Sequence, residues 1–274
     1  MSGRGRRMAW APERIAAFWD YWSDRPDAFG EYFSCQVGGS VVAFLGEAVP
    51  LRGRRVLDLG CGPGFLIPPL LAAGAQVWAA DGSAPAVARV NARHEENPLW
   101  RGASVTASGR VPLPDGSFDL VCCVETIEHL PREAVPSLIG EIRRLLAPGG
   151  RALLTTPDEE DLERSMIFCP ECGAEFHKVQ HITSWSVSSL ATILEEAAFD
   201  VLFCRAVDLC RLGGEARRSL VRMSLADLGR RVSLATAELL DRAIPRPFPE
   251  GRKFRRLAAP GPHLVALAAK PGRP

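Results

Sequence analysis

The stretch RRVLDLGCGPGFLIPPLLAAGAQVWAADGS, residues 54–83, constrains the fold more than any other part of the chain. A short apolar run, Val56–Leu59, meets a turn with glycine at positions 60, 62 and 64. A helical segment follows, and then a second apolar run, Val77–Ala80. Two apolar strands joined through a glycine turn and a helix make a right-handed parallel βαβ unit. The alternation continues. Residues 84–96 read as a helix, 103–107 as a short strand, and SFDLVCCVE as a buried strand with no polar alternation. Residues 132–146 read as a helix stopped by PGG, RALLTT as a fifth strand, 186–198 as a helix, DVLFCRAVDL as a strand and HLVALAAK as the closing strand. The expectation is an α/β fold with a doubly wound sheet, whose ligands sit at the carboxyl ends of the strands.

The candidate chemistry falls at those ends. Asp58 stands two residues before Gly60, where a carboxylate repels a pyrophosphate and suits a cation or an amine. A dinucleotide fingerprint wants a third glycine at position 65, which is Phe65 here. Asp81 closes the second strand, ahead of Gly82 and Ser83. A carboxylate there can accept both hydroxyls of a ribose, or it can simply be an acid at a helix N-terminus.

After the SFDLVCCVE strand, VETIEHL places Glu125, Glu128 and His129 at i, i+3 and i+4, on one face if helical. His129 is a candidate general base, the three together are a candidate divalent-cation site, and plain capping and packing is the third use. Residues 165–185, SMIFCPECGAEFHKVQHITSW, set Cys169, Cys172, His177 and His181 in a C-x2-C-x4-H-x3-H pattern. Thiolates and imidazoles favour Zn²⁺, and four protein ligands make a closed structural site. A rival arrangement uses only Cys169, Cys172 and His177 and turns His181 to the substrate. Two free thiols and two unrelated histidines are the third possibility.

VLDLGCGPG, VWAADGS, VPLPDGSFDLVCCVETIEHL and LLAPGGRALLTTP resemble the successive motifs of class I S-adenosylmethionine-dependent methyltransferases. The resemblance covers about residues 40–205 and the last strand. It implies a Rossmann-like, seven-stranded sheet, mostly parallel with the last strand antiparallel. It also implies that the Gly60–Gly64 turn passes beside the methionine moiety and that Asp81 holds the ribose. The cofactor set on this reading is Asp58, Gly60, Cys61, Gly62, Gly64, Asp81, Gly82, Ser83, Ser108 and Glu125. Where relatives often carry an Asp for the adenine amino group, this chain has Ala107 and Ser108. Glu125-x-x-Glu128-His129 is similar to the metal-binding stretch of small-RNA 2′-O-methyltransferases and of some quinone-biosynthesis O-methyltransferases, which implies Mg²⁺ there. The Cys/His text resembles a bacterial subgroup associated with sugar and cell-surface biosynthesis, so a glycan-like acceptor stands beside a small-molecule one.

Composition bounds the rest. A net charge of +1 over 274 residues gives no field that points to nucleic acid. No apolar run reaches the about 18–20 residues of a membrane span. The start, MSGRGRRMAWAP, is basic and reads as a flexible tail; no apolar core follows, so a secretory leader is not expected. Eight cysteines, most in apolar runs, suit free thiols in a reducing, cytoplasmic setting. The expected organisation is one domain over 1–274, with a helical cap at 1–50, a zinc-binding lid at 157–185 and a helical and loop insertion at 208–260. Ile15, Phe18, Trp19 and Trp22 share a helical face that packs onto the core or covers a ligand. Ten arginines within 214–256 form a solvated face or meet an anionic acceptor. The leading functional reading is O-methylation. A silent, zinc-braced binding module and a nicotinamide-dependent oxidoreductase are the alternatives.

Overall fold

The computed structural model describes residues 6–107, 109–209 and 262–272. Ser108, Cys210 and the arginine-rich stretch 214–256 lie outside them. In chain order the elements are β1 (Arg6–Arg7), α1 (Pro12–Ser23), α2 (Phe33–Ala48), β2 (Arg55–Leu59), α3 (Ile67–Ala72), β3 (Gln76–Asp81), α4 (Ala84–His94), β4 (Trp100–Val105) and β5 (Phe118–Val124). Then come α5 (Val135–Leu145), β6 (Leu146–Pro157), β7 (Met166–Phe168), β8 (Ala174–His177), α6 (Val187–Glu196), β9 (Asp200–Val207) and β10 (His263–Ala269). Short 3₁₀ turns cover Pro26–Glu31, Ile127–His129, Arg132–Ala134 and Leu162–Ser165.

Seven strands form one sheet in the order β4-β3-β2-β5-β6-β10-β9. β2, β3, β4, β5 and β6 pair in parallel, and β10 lies antiparallel between β6 and β9. The order reverses between β2 and β5, which sets a crevice beyond their carboxyl ends. Both faces are covered. Val56, Leu120 and Leu153 join the core beneath α2 and α3, while Leu57, Val121 and Leu154 join the core beneath α5 and α6. Burial of alternate strand residues on both faces is why β5 reads as one apolar run.

Three boundaries differ from expectation. β4 begins at Trp100, whose buried indole packs near His94, rather than at residue 103. α5 starts only at Val135, after a separate 3₁₀ turn. PGG does not separate helix from strand: β6 starts at Leu146, paired with Phe118, and runs through both glycines. A Cβ at Gly150 would sit 2.9 Å from the Ala147 carbonyl oxygen, so only glycine lets the strand pass there.

Residues 6–10 are not a free tail. Arg6–Arg7 pairs in parallel with β8, and β8 pairs with β7, giving a second sheet of order β1-β8-β7. Trp10 sits edge-on to both Phe18 and Phe176, so the small sheet is fastened to α1 by edge-to-face aromatic contacts.

Gly64 shows how tightly the glycine turn is built. Its φ is +81°, and a Cβ there would lie 2.8 Å from the Val90 side chain of α4. Gly64→Ala is expected to cost about 1–3 kcal/mol. Each kcal/mol lowers Tm by about 2–4 °C in a chain of this size. A calorimetric Tm equal to that of the native chain would show that the turn is not under this constraint.

Candidate active site

The turn after β2 is set by backbone contacts. Gly60 N–H and Cys61 N–H both donate to the Ala80 carbonyl, at 2.8 and 3.2 Å. Asp81 accepts from Gly62 N–H at 2.7 Å and from Ser83 N–H at 2.8 Å. The carboxylate therefore ties the ends of two neighbouring strands together. Ser83 caps α4 by accepting from Ala86 N–H at 3.3 Å. Burial raises the Asp81 carboxyl, and the N–H groups partly offset it. Asp58 is 2% exposed and its Oδ2 has no partner. Burial, and then Asp81, push it up to about 7. An orphaned buried carboxylate beside a glycine turn suits a cationic group.

Glu125 sits at φ +47°, a rare conformation for a residue with a side chain. Its N–H meets the Thr155 carbonyl at 3.0 Å, and Thr155 Oγ1 donates to its Oε1 at 2.8 Å. Its other oxygen lies 3.7 Å from His263 Nε2. Burial raises Glu125 to about 8, against the Thr155 hydrogen bond. The expected single face of Glu125, Glu128 and His129 is not formed, because only Ile127–His129 makes a 3₁₀ turn and Glu125 stands outside it. The Mg²⁺ set drawn on those three residues is corrected accordingly. It is His181, not Glu125, that brings a ligand atom within 4.8 Å of those of Glu128 and His129.

Glu128 is 1% exposed, and neither of its oxygens has a hydrogen bond of ordinary geometry. Burial first, and Glu125 second, hold it neutral well above its usual range. His129 sits 4.6 Å from Trp19, ring to ring. Its Nδ1 lies 3.4 Å from the Gln180 carbonyl, and its Nε2 lies 3.9 Å from Glu128 Oε1. Burial, and then His181, lower it to about 3, so it stays an uncharged imidazole.

The four-residue zinc clip is not assembled. Cys169 and Cys172 lie at the turn of the β7–β8 hairpin, where Cys169 N–H donates to the Ala174 carbonyl and Gly173 N–H donates to the Cys169 carbonyl. His177 lies at the far end of β8, opposite Met166. A strand rises about 3.3 Å per residue, so the extended chain from Ala174 to His177 carries the imidazole away from the thiols. His177 and His181 instead meet Glu160. The β7–β8 hairpin is ordered by strand pairing and aromatic packing.

One cavity of about 1090 Å³ joins these parts. Gly60, Gly62, Asp81 and Ser83 line one end; Glu125, His129, Glu160 and His181 line the other. α1 closes the side with Ile15, Phe18, Trp19 and Trp22, so these aromatics line the cavity rather than the core, and Ser23 is the buried residue of that helix. The sequence reading missed Tyr32, Thr106, Thr155, Glu160, Gln180 and His263. For Glu160 a signal existed, an acid just past the end of the fifth strand. For Gln180, wholly buried at φ +59°, there was none.

The comparisons agree with this architecture. A family model described as a methyltransferase domain matches residues 21–202. The chain belongs to the class I S-adenosylmethionine-dependent methyltransferases. It is similar to the ubiquinone biosynthesis O-methyltransferase of Pseudomonas aeruginosa, 38% identical over 117 residues, 42% of this chain and 49% of that protein. The enzyme of the same name from Paracidovorax citrulli is 31% identical over 170 residues, 58% of this chain and 68% of that protein. The Pseudomonas match spans about half the length of that relative. Among solved structures, 1,6-didemethyltoxoflavin-N1-methyltransferase from Burkholderia thailandensis, bound to 1,6-didemethyltoxoflavin and S-adenosylhomocysteine, superposes with a TM-score of 0.59 at 16% identity, covering 96% of this chain and 92% of that one. Phosphoethanolamine N-methyltransferase 1 from Haemonchus contortus gives 0.58 at 17% identity over 95% of this chain and 49% of that one. At these identities the superpositions show the fold. Among the described residues, no helix is long and apolar enough to cross a membrane.

The buried Glu125 carboxyl predicts a pH signature. The native group titrates near 8 and an unperturbed one near 4.5. Between those values the unfolded chain ionises and the native chain does not, so Glu125 costs stability increasingly as pH rises across that window. Glu125→Gln lacks this loss. The Tm of the variant minus that of the native chain should grow from pH 5 to pH 8, as calorimetry would read. A difference that stays flat over that range would remove the assignment.

Proposed function

We propose that this protein transfers the methyl group of S-adenosylmethionine to the oxygen of a small, largely apolar acceptor, of which a phenol or catechol is the best fit. The observation that carries the reading is the single cavity running from Gly60, Gly62 and Asp81 to the histidines, walled by Trp19, Trp22, Phe33 and Tyr32. Flat aromatic walls suit a ring-bearing acceptor. The name shared by the Pseudomonas and Paracidovorax relatives supports transfer to oxygen.

The residues present fit the methyl donor. The orphaned Asp58 oxygen and the Asp81 carboxylate give the donor end an excess of acceptor groups, suited to ribose hydroxyls and to a positive amine or sulfonium. Gly62, at φ +48°, would point a Cβ at the Tyr32 ring, 3.7 Å away, across the space a ligand would share. S-adenosylmethionine supplies an electrophilic methyl group on a positively charged sulfur. The protein aligns the acceptor oxygen with it and excludes water. Neutral His129 keeps a lone pair on Nε2 and can accept a hydrogen bond from a second, neighbouring hydroxyl of a catechol, which orients the ring. Trp19, edge-on to the His129 imidazole, keeps it from turning.

The test is binding followed by turnover. S-adenosylhomocysteine at 100 times its Kd should raise stability by about 2.7 kcal/mol. Asp81→Asn should weaken that binding at least about tenfold, as losing one charge-assisted contact does. Labelled methyl should appear on catechol with one S-adenosylhomocysteine per turnover. No thermal shift with S-adenosylhomocysteine would rule the reading out.

A further inference from the structure

Glu160 follows β6 and faces two histidines that methyl transfer, as argued so far, does not use. The backbone N–H of His181 donates to His177 Nδ1 at 3.1 Å. A neutral imidazole has one N–H and one lone pair, so His177 carries its proton on Nε2. That Nε2 lies 3.4 Å from Glu160 Oε1. The other carboxylate oxygen, Oε2, lies 2.5 Å from His181 Nδ1. Burial works against the charge on Glu160, but the His181 contact and the His177 imidazole facing its other oxygen favour the ionised carboxylate. An ionised carboxylate only accepts hydrogen bonds, so the proton of His181 sits on Nδ1. Its Nε2 is then the nitrogen with a free lone pair, on a ring that lines the cavity.

The ring is also fixed in orientation. His177 and His181 stack at 4.8 Å with 12° between their planes, and His177 is only 2% exposed. The titratable groups around His181 are Glu160, His177, Glu128, His129 and His263. Of these, only Glu160 hydrogen-bonds the ring with a negative charge.

We propose that His181 is the base that takes the acceptor's proton, and that Glu160, braced by His177, is the positioning residue that fixes its tautomer. The inference rests on the methyl-transfer reading of the cavity. The acceptor hydroxyl gives its proton to His181 Nε2, and the oxygen lone pair forms the bond to the methyl carbon. The carbon–sulfur bond breaks with its electrons going to sulfur, leaving a neutral thioether. The imidazolium so formed stays paired with Glu160 and returns its proton to water after product leaves. His129 lacks such a partner, since its Nδ1 faces the neutral Gln180 carbonyl at 3.4 Å rather than a carboxylate.

Two measurements on the full chain with S-adenosylhomocysteine or S-adenosylmethionine decide this. Nitrogen-15 imidazole spectra should show His181 protonated on Nδ1 and His177 on Nε2, and Glu160→Gln should loosen the His181 preference. His181 found protonated on Nε2 would overturn the proposal whatever the activity. The second measurement compares catechol with 4-nitrocatechol, which ionises far more readily. His181→Ala should lower kcat on catechol by about 10²–10⁴-fold. It should lower kcat on 4-nitrocatechol far less, with S-adenosylhomocysteine binding unchanged. Glu160→Gln should show a smaller loss with the same dependence on acceptor acidity. Equal losses on both probes would mean a merely structural role and would overturn the proposal. So would chelation that abolishes activity and added Mg²⁺ or Zn²⁺ that restores it, which would move the chemistry to a cation on Glu128, His129 and His181. A native chain inactive on both probes, yet stabilised by S-adenosylhomocysteine, would instead refute the phenolic acceptor while the spectra still judge the Glu160–His181 pair.

Discussion

The buried side chain of Gln180 holds the acceptor side of the cavity together. It accepts from Trp19 Nε1 at 2.7 Å and donates to the His129 carbonyl at 2.9 Å, while its own carbonyl lies 3.4 Å from His129 Nδ1. One amide thereby joins the N-terminal helix α1, the turn after β5 and the segment after β8. Ile182 and Thr183 extend the same seam by donating to the Glu128 carbonyl, and Thr183 Oγ1 reaches the Leu130 carbonyl. Each bond adds little net stability alone, but a buried seam is costly to leave half made. Gln180 adopts φ +59°, a strained backbone for a side chain of its size, and the seam is what repays that strain.

The carboxylates follow from the same sheet. Parallel strands all deliver their ends to one edge, so Asp58, Asp81 and Glu125 gather there from β2, β3 and β5, and Glu160 follows β6. Burial drives Asp58, Asp81 and Glu125 upward, and only Glu160 is drawn down by two imidazoles. This division matters more than the count of acids. The donor end keeps acids that burial biases toward the neutral form, so a cation placed beside them would be the partner that lets them ionise. The acceptor end keeps an acid whose charge is already committed to histidine, a surrounding that favours moving a proton.

Much of this was legible in the chain because it depends on local rules. A glycine turn between two apolar runs fixes a βαβ unit, and Asp81 at the second strand's end can only fall beside the first turn. The Cys/His text was misread because spacing along the sequence carries no strand direction. C-x2-C-x4-H is compact only if the four-residue link is coiled, and Ala174–His177 is extended. Glu125, Glu128 and His129 were misplaced for a similar reason. The i, i+3, i+4 rule assumes a helix from residue 125, and the backbone of Glu125 turns left-handed instead. Gln180 falls inside the Cys/His text, but its role could not be read there, since it comes from three distant groups that meet only in the folded chain.

The aromatic helix α1 then acquires a meaning that periodicity alone left open. A stripe of Phe18, Trp19 and Trp22 would normally be buried in the core, yet these rings line the cavity instead. The helix is held at its edges rather than through its face: by the Trp10, Phe18 and Phe176 rings, by the Trp19–Gln180 bond and by the ion pair between Asp24 and Arg89. A cover fastened this way can lose contact with the sheet without unfolding it, because the two main cores contain none of its residues. The contacts that hold α1 over this end of the cavity, through Trp19 and Gln180, are therefore the same ones that orient His129.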